Sequence, residues 1–427
     1  MLTLSLCILA ASLVGGGFGQ VVVPSGFTAT SIPFGAEVTG MAVANGGAFG
    51  VDLYASTSGE VRRVNVVTGG VTPFASGLAT GFDRPSGLTF DKGTFGTGLL
   101  YVAQNNSTVV TISPTGTVSP FASGGSLFSC NGLVMAPVGS AFGAKLFVSN
   151  GNPGAGTIAS VTSAGGTALF AAAATFANAP LGVDFPAAGS AFGADLFTSV
   201  FLTGQIVRVN AAGSGSVFAT GTGQSLDMRF SPDPLGPFGD FAYVTDTSTN
   251  SVRRVAPNAS VTTFASGFVF GATGFDGDIT FAPDGQTLFV ASGASIISIR
   301  SSGASPFSDL GSGLAGISGI PHLAGMGTLA PGSACSLSLT SAAASKPAVL
   351  FVALASVPAP FKGGVLVANP VTFAIALATF GSGTLLLPFT WPSGLPSATS
   401  LYFQYAIQDP AGPKGVSLSN ALEAVTP

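Results

Sequence analysis

Gly40-Met41-Ala42-Val43, Leu53-Tyr54-Ala55-Ser56, Val61-Arg62-Arg63-Val64 and Thr72-Pro73-Phe74-Ala75-Ser76-Gly77 are four short β-rich runs in close succession. The first of them returns as Gly87-Leu88-Thr89-Phe90, Gly132-Leu133-Val134-Met135, Gly182-Val183-Asp184-Phe185, Asp227-Met228-Arg229-Phe230 and Asp278-Ile279-Thr280-Phe281. These six openers are spaced 45 to 51 residues apart. The second run also returns, as in Leu100-Tyr101-Val102-Ala103, Leu146-Phe147-Val148-Ser149 and Leu288-Phe289-Val290-Ala291. A fixed period of this length with about four strands per unit predicts the blades of a β-propeller. With the opener as the innermost strand, the units run over 36–80, 81–124, 125–172, 173–221, 222–268 and 269–316.

The turns keep the same register. Phe49-Gly50, Phe95-Gly96, Phe142-Gly143, Phe192-Gly193 and Phe238-Gly239 precede the second strand in five units, and Pro283-Asp284-Gly285 stands there in the sixth. The glycine supplies a positive φ, and the phenylalanine is expected to pack between neighbouring units. Thr68-Gly69-Gly70, Thr115-Gly116, Ala164-Gly165-Gly166, Ala212-Gly213, Pro257-Asn258 and Ser302-Gly303 mark the hairpin between strands three and four. The segment 26–35 resembles a fourth strand that has no preceding strands of its own, so it is a candidate strap closing the ring and hiding sheet edges. Residues 304–308 compete for that place. The count is therefore six blades, with seven as the alternative.

The period stops near Gly325. Six apolar strands follow, at 336–340, 348–355, 364–368, 372–380, 384–389 and 400–407, and they predict a small all-β sandwich. Trp391, the lone tryptophan, is read as a core or edge aromatic. The domain limits expected from sequence are a signal peptide over 1–19, a propeller over 26–318, a linker over 319–332 and a C-terminal β-sandwich-like module over 333–427.

Only 7% of the residues are charged and the mean hydropathy is +0.60. The apolar runs after the N-terminus are cut by Gly, Pro, Ser, Thr or Asn, well short of the roughly 20 residues a spanning helix needs. The expectation is a mature chain with no transmembrane segment. Residues 2–14 are almost wholly apolar and lead into Gly15-Gly16-Gly17-Phe18-Gly19, which suits a secretory signal. This places the protein outside the cell or in the envelope. Leu4-Ser5-Leu6-Cys7 lacks a preceding apolar core, so lipidation at Cys7 is not expected. Cys130 and Cys335 are read as small buried thiols. The 13 basic residues are scattered and the net charge is −4, which argues against nucleic acid as a partner. The arginines of the Arg62-Arg63 and Arg253-Arg254 doublets, and Arg208, are read as solvated or interblade hydrogen-bonding groups.

Tyr243-Val244-Thr245-Asp246, the following Asn250-Ser251-Val252-Arg253-Arg254-Val255 and Asn131-Gly132-Leu133 resemble the superfamily of NHL repeats, gluconolactonase-like lactonases and strictosidine-synthase-like proteins. The resemblance covers about residues 30–316. The C-terminal part, with Leu401-Tyr402-Phe403-Gln404-Tyr405-Ala406 and Gly415-Val416-Ser417-Leu418-Ser419-Asn420-Ala421-Leu422, resembles a module at the ends of secreted proteins of planctomycete-like bacteria. It implies surface retention or interaction. Gluconolactonase-like enzymes hold a divalent cation at the propeller mouth with a Glu, an Asp and the Asn of an Asn-Gly-Leu element. The resemblance implies Asn131 and Asp276 as metal ligands and Ca²⁺ as the ion. The Glu has no counterpart, because Thr39 stands in its place, and this departure weighs against a lactonase.

Asp83, Asp184, Asp227 and Asp278 lie near the inner strands and are candidates to line the channel. Alternatively, they cap turns and satisfy exposed backbone. Asp246 is read as a structural turn residue. The only histidine, His322, falls outside the repeats, and no Gly-x-Ser-x-Gly element accompanies it. The sequence thus points to a secreted, non-catalytic propeller binding a protein or glycan partner. A Ca-dependent lactonase-like hydrolase and a structural envelope or matrix protein are the alternatives.

Overall fold

The computed structural model describes residues 21–426 except 67, 153, 271–276, 302–306, 328, 330 and 382. The expected signal peptide and Asp276 lie outside the described residues. Within them the chain is all-β, and no helix is long and apolar enough to cross a membrane.

Six four-stranded antiparallel sheets follow one another along the chain. Their inner strands are Gly40–Val43, Pro85–Phe90, Cys130–Met135, Pro180–Asp184, Met228–Phe230 and Ile279–Phe281. Each packs against the next, and the sixth packs against the first, closing a ring consistent with a propeller. In the first five sheets the strand order is the chain order. The sixth combines Ile279–Phe281, Thr287–Ser292 and Ser295–Ser301 with the N-terminal strand Phe27–Pro33, in register from Phe27 opposite Ser301 to Pro33 opposite Ser295. The competing segment is not the sixth sheet's fourth strand. Phe307 and Ser308 pair with Ala424 and Glu423 instead, in a sheet built from the C-terminal residues.

Four of the five repeated phenylalanines meet a ring on the inner strand of the next sheet. Phe49 lies 5.4 Å from Tyr54 of its own sheet and 4.9 Å from Phe90 on the next inner strand, measured between ring centroids. Phe142 meets Phe185 at 4.8 Å, Phe192 meets Phe230 at 4.9 Å and Phe238 meets Phe281 at 5.1 Å. Most of these contacts are edge-to-face, the arrangement the ring quadrupole favours. Gly50, which follows the first of these rings, has φ 75° and so adopts a turn a β-carbon would strain. Phe27 of the closing strand sits 5.0 Å from Phe238 and 5.2 Å from Phe264, sealing the sixth sheet against the fifth.

The C-terminal residues form two facing sheets. One runs Phe307–Gly311, Ala421–Val425, Ser400–Gln408, Pro347–Ala353, Phe373–Ala378, with Val416–Leu418 added beside Ser400–Gln408. The other has three strands, His322–Met326, Ala334–Thr340 and Leu385–Thr390. Leu337, Leu339, Leu350, Tyr405 and Trp391 fill the space between them. The pairing corrects the expected boundary. His322–Met326 lies inside the supposed linker 319–332, and Phe307–Gly311 lies inside the supposed propeller limit, yet both strands belong to these sheets. Their apolar residues complete the C-terminal core, which strand composition alone could not reveal.

The three-stranded sheet also faces the ring. Cys335, Leu337 and Leu339 point into the C-terminal core, so the alternating Ser336 turns the other way. Ser336 is fully buried near Asp233, and both Asp233 Oδ2 and Ser336 Oγ are left without a hydrogen-bond partner. Ser341 Oγ donates to the Asn45 carbonyl at 3.0 Å, and Gly381 lies against Val138. Residues 45, 138 and 233 all follow inner strands, in the first, third and fifth sheets. The C-terminal sheets therefore cover the end of the ring where the inner strands finish.

Candidate functional site

The opposite end, where the inner strands begin, is open. Its shallow hollow is lined by Thr39, Phe82, Arg84, Pro85, Ser86, Asn105, Asn131, Gly132, Leu181, Leu226, Asp227 and Asp278. Phe82 projects from the rim with 82% of its surface exposed, which leaves it available to a ligand. Arg84 pairs with Glu37 at 3.3 Å. Ser86 Oγ donates to the Cys130 carbonyl at 2.6 Å, and Asn131 Nδ2 donates to the Ser129 carbonyl at 2.8 Å.

The inner strands approach one another so closely here that four units carry glycine at the first opener position. A Cβ on Gly132 would collide with the Leu181 carbonyl, and one on Gly182 would collide with the backbone of Asp227 and Met228. The fifth and sixth units carry aspartate at this place. Asp227 Oδ2 accepts from Ile279 N at 3.3 Å, bridging to the next inner strand, and Asp278 stands beside the Met41 backbone N–H across the closure of the ring, which moderates the rise of its pKa.

Three of the four sequence candidates converge. Arg229 Nη1 donates to Asp227 Oδ1 and to the Val183 and Met228 carbonyls, each at 3.0 Å. Asp184 and Asp278 also lie within electrostatic reach of this guanidinium. Asp184 Oδ2 accepts from Phe230 N at 2.8 Å. Asp278 Oδ1 is buried with no hydrogen-bond partner. Asp83 does not join them. It ends the turn Gly81–Asp83 and is exposed to solvent.

One half-buried cation beside two buried carboxyls and the half-buried Asp184 leaves an excess of acid, and the protonation equilibria follow. Burial raises the Asp278 pKa well above the ordinary carboxyl value, and the neighbouring Asp227 charge adds to the rise. Burial also raises Asp227 and Asp184, against the attraction of Arg229. The guanidinium itself stays charged, because the surrounding carboxylates outweigh its burial. Asp246 contrasts with these. Although buried, it accepts from Thr249 Oγ1 at 2.6 Å and Arg253 Nε at 3.0 Å, and with Ser248 these donors hold its pKa below the usual range. Its bonds tie a turn together.

These donors fit a divalent cation poorly. Both Asp227 oxygens are already engaged, Arg229 brings positive charge among the carboxyls, and no three His, Cys, Asp or Glu side chains among the described residues are placed to hold an ion. His322 is exposed on a strand of the sheet at the other end of the ring, out of reach of the hollow. Cys130 and Cys335 are both buried and unpaired, and burial pushes the Cys130 thiol up to about 12, where it is inert. The arginine doublets make local contacts. Arg62 Nη1 donates to the Phe34 carbonyl at 2.8 Å, Arg63 Nε pairs with Asp52 at 2.6 Å, Arg208 Nε pairs with Asp195 at 2.6 Å, and Arg254 lies 4.8 Å over the Phe241 ring.

No protein-family model and no curated protein matches the chain. Among solved structures it is similar to a virginiamycin B lyase from Staphylococcus aureus, with TM-score 0.46 and 14% identity over 64% of this chain and 99% of that one. It is similar to a putative gluconolactonase with TM-score 0.49 and 15% identity, over 66% and 94% of the two chains. A calcium-binding regucalcin from Agrobacterium tumefaciens gives TM-score 0.45 and 15% identity over 63% and 90%. These likenesses carry no activity to this chain, and the architecture rests on its own strand pairing.

Proposed function

We propose that the protein is a secreted, non-catalytic, six-bladed propeller with a C-terminal β-sandwich-like module, and that it binds a hydroxyl-rich glycan or protein partner at the open mouth. The observation that carries this reading is the composition of that hollow. It is lined by the Ser86 hydroxyl and the Asn131 amide, whose oxygens remain able to accept after their internal bonds, by an exposed Phe82 ring and by a buried Asp278 oxygen without a partner. Such a set of directional polar groups beside an apolar surface suits a polyol. The C-terminal sheets cover the far end of the ring, so a ligand enters from one side. The apolar N-terminal segment supports export, and the C-terminal module supports retention at a surface. The first test is a glycan-array and pull-down screen of the full chain. A ligand retained by the native protein and lost by Phe82→Ala supports the reading, and retention indifferent to Phe82 sinks it.

A second reading, a Ca-dependent lactonase-like hydrolase, draws on the same unpartnered Asp278 oxygen and on Asn131 in the same hollow. Lactone turnover abolished by a chelator, together with saturable Ca²⁺ binding by calorimetry, would replace the first reading with this one.

A further inference from the structure

The apolar surface that lacks a partner is concentrated on the C-terminal sheets. Leu354, Val357, Val371, Phe373, Ile375 and Phe380 are all exposed and all come from one short stretch of chain. Phe373–Ala378 is the edge strand of its sheet, and among the described residues no strand pairs with its free side. Phe373, Ile375 and Leu377 lie opposite Val352, Leu350 and Ala348, which face the core. Phe373 nevertheless remains 62% and Ile375 41% exposed. The three-stranded sheet is narrower than its neighbour and leaves this edge uncovered.

The backbone defines what can cover it. Thr379 N donates to the Lys346 carbonyl, and Pro347, which has no N–H, stands opposite Ala378. Inward hydrogen bonding therefore falls on residues 373, 375, 377 and 379, and the N–H and C=O groups of Ala374, Ala376 and Ala378 point out of the sheet. A lipid surface could cover the apolar side chains but would leave these groups unsatisfied. Another strand satisfies both needs. No Asp, Glu, Lys or Arg occurs from Gly363 to Gln408. The edge thus lacks the charges that usually guard such strands, and a charged partner strand would bury its charge uncompensated.

We propose that this edge pairs with the same edge of a second copy, antiparallel about a two-fold axis at Ala376. In that register Ala374 stands opposite the partner's Ala378, and Ile375 stands opposite the partner's Leu377. Small side chains meet on the outer face, and the apolar row continues across the joint on the inner face. No like charges are brought together, because neither strand carries any. The contact is isologous and closes at two copies.

Sedimentation velocity of the full chain over a wide concentration range tests this, with two variants. Ala376→Pro removes an outward N–H that serves no bond within the sheet. Ile375→Lys places a charge on the joint while keeping every backbone group. The native chain should form a concentration-dependent dimer, and each variant should weaken it at least about tenfold with an unchanged far-ultraviolet spectrum. If Ala376→Pro disturbs the fold, Ile375→Lys carries the test alone. A native chain that stays monomeric, or a dimer that Ile375→Lys leaves intact, overturns the proposal.

Discussion

The first four inner strands and the last two solve the same steric problem in different ways. At Gly40, Gly87, Gly132 and Gly182 the absent side chain lets the next strand's backbone come close. At Asp227 a carboxylate reaches across and accepts from that backbone, and at Asp278 a carboxyl stands beside the Met41 backbone. The glycine joints are apolar and silent. The aspartate joints bring two acids into the channel, and Asp184 and Arg229 from adjacent strands complete a charged cluster beside the open mouth. The same repeat geometry therefore leaves the glycine joints uncharged and gathers acids at the aspartate joints. The proposed ligand site draws on both kinds of unit, with Phe82, Ser86 and Asn131 from glycine units and Asp278 from an aspartate joint.

The sharpest way to break this comparison is to give a glycine joint a side chain. Gly132→Ala drives a Cβ into the Leu181 carbonyl. It should cost about 3 kcal/mol, the upper end of ordinary overpacking, measured by denaturant unfolding. Tolerance of alanine at Gly132 would show that close approach is not the reason for the glycine. Asp227→Ala should cost about 2 kcal/mol in the same measurement, because Arg229 and Ile279 N lose a charged partner.

Acid should act first on the charged cluster around Arg229. The native pKa values of Asp184, Asp227 and Asp278 lie above the ordinary carboxyl value, so the folded chain binds protons more tightly than the unfolded one. Stability should rise as pH falls from neutrality through the native values towards about 4. Each group contributes about 1.4 kcal/mol for every tenfold by which folding tightens its hold on the proton. Below about 4 the lowered Asp246 reverses the trend, since protonating it removes native hydrogen bonds. Thermal melts between neutral and acid pH will read both limbs. The smallest expected effect belongs to Asp278→Asn, which removes a poorly compensated buried charge. It should change stability at neutral pH by less than about 1 kcal/mol and flatten the rise on acidification.

How much of this was readable in the chain depends on what each feature needs from its neighbours. The repeat was legible because four strands, their turn glycines and the linking phenylalanines recur in fixed order. Each local signal agreed with the global fold. The closing strand at Phe27–Pro33 could be singled out because it is a fourth strand without its first three. Its competitor around Phe307 could not be placed, since an apolar strand does not name its partner. Asp184, Asp227 and Asp278 stood out by their repeat positions, but Asp83 occupies a turn before its strand and points to solvent. Arg229 gave no such signal. A lone arginine in an opener suggests a solvated group, and only the alignment of Asp184 with Arg229 at the third opener position marks the charged units as neighbours. The seating of the C-terminal sheets over one end of the ring depends on contacts between distant residues such as Ser341 and Asn45, which no local pattern encodes.

A crystal of the full chain soaked with the ligand selected on the array gives the most direct answer. Ligand density is expected in the open mouth, within hydrogen-bond distance of Asn131 and Asp278 and against the Phe82 ring. Well-ordered density elsewhere on the molecule, with that mouth empty, would contradict a binding role for the hollow.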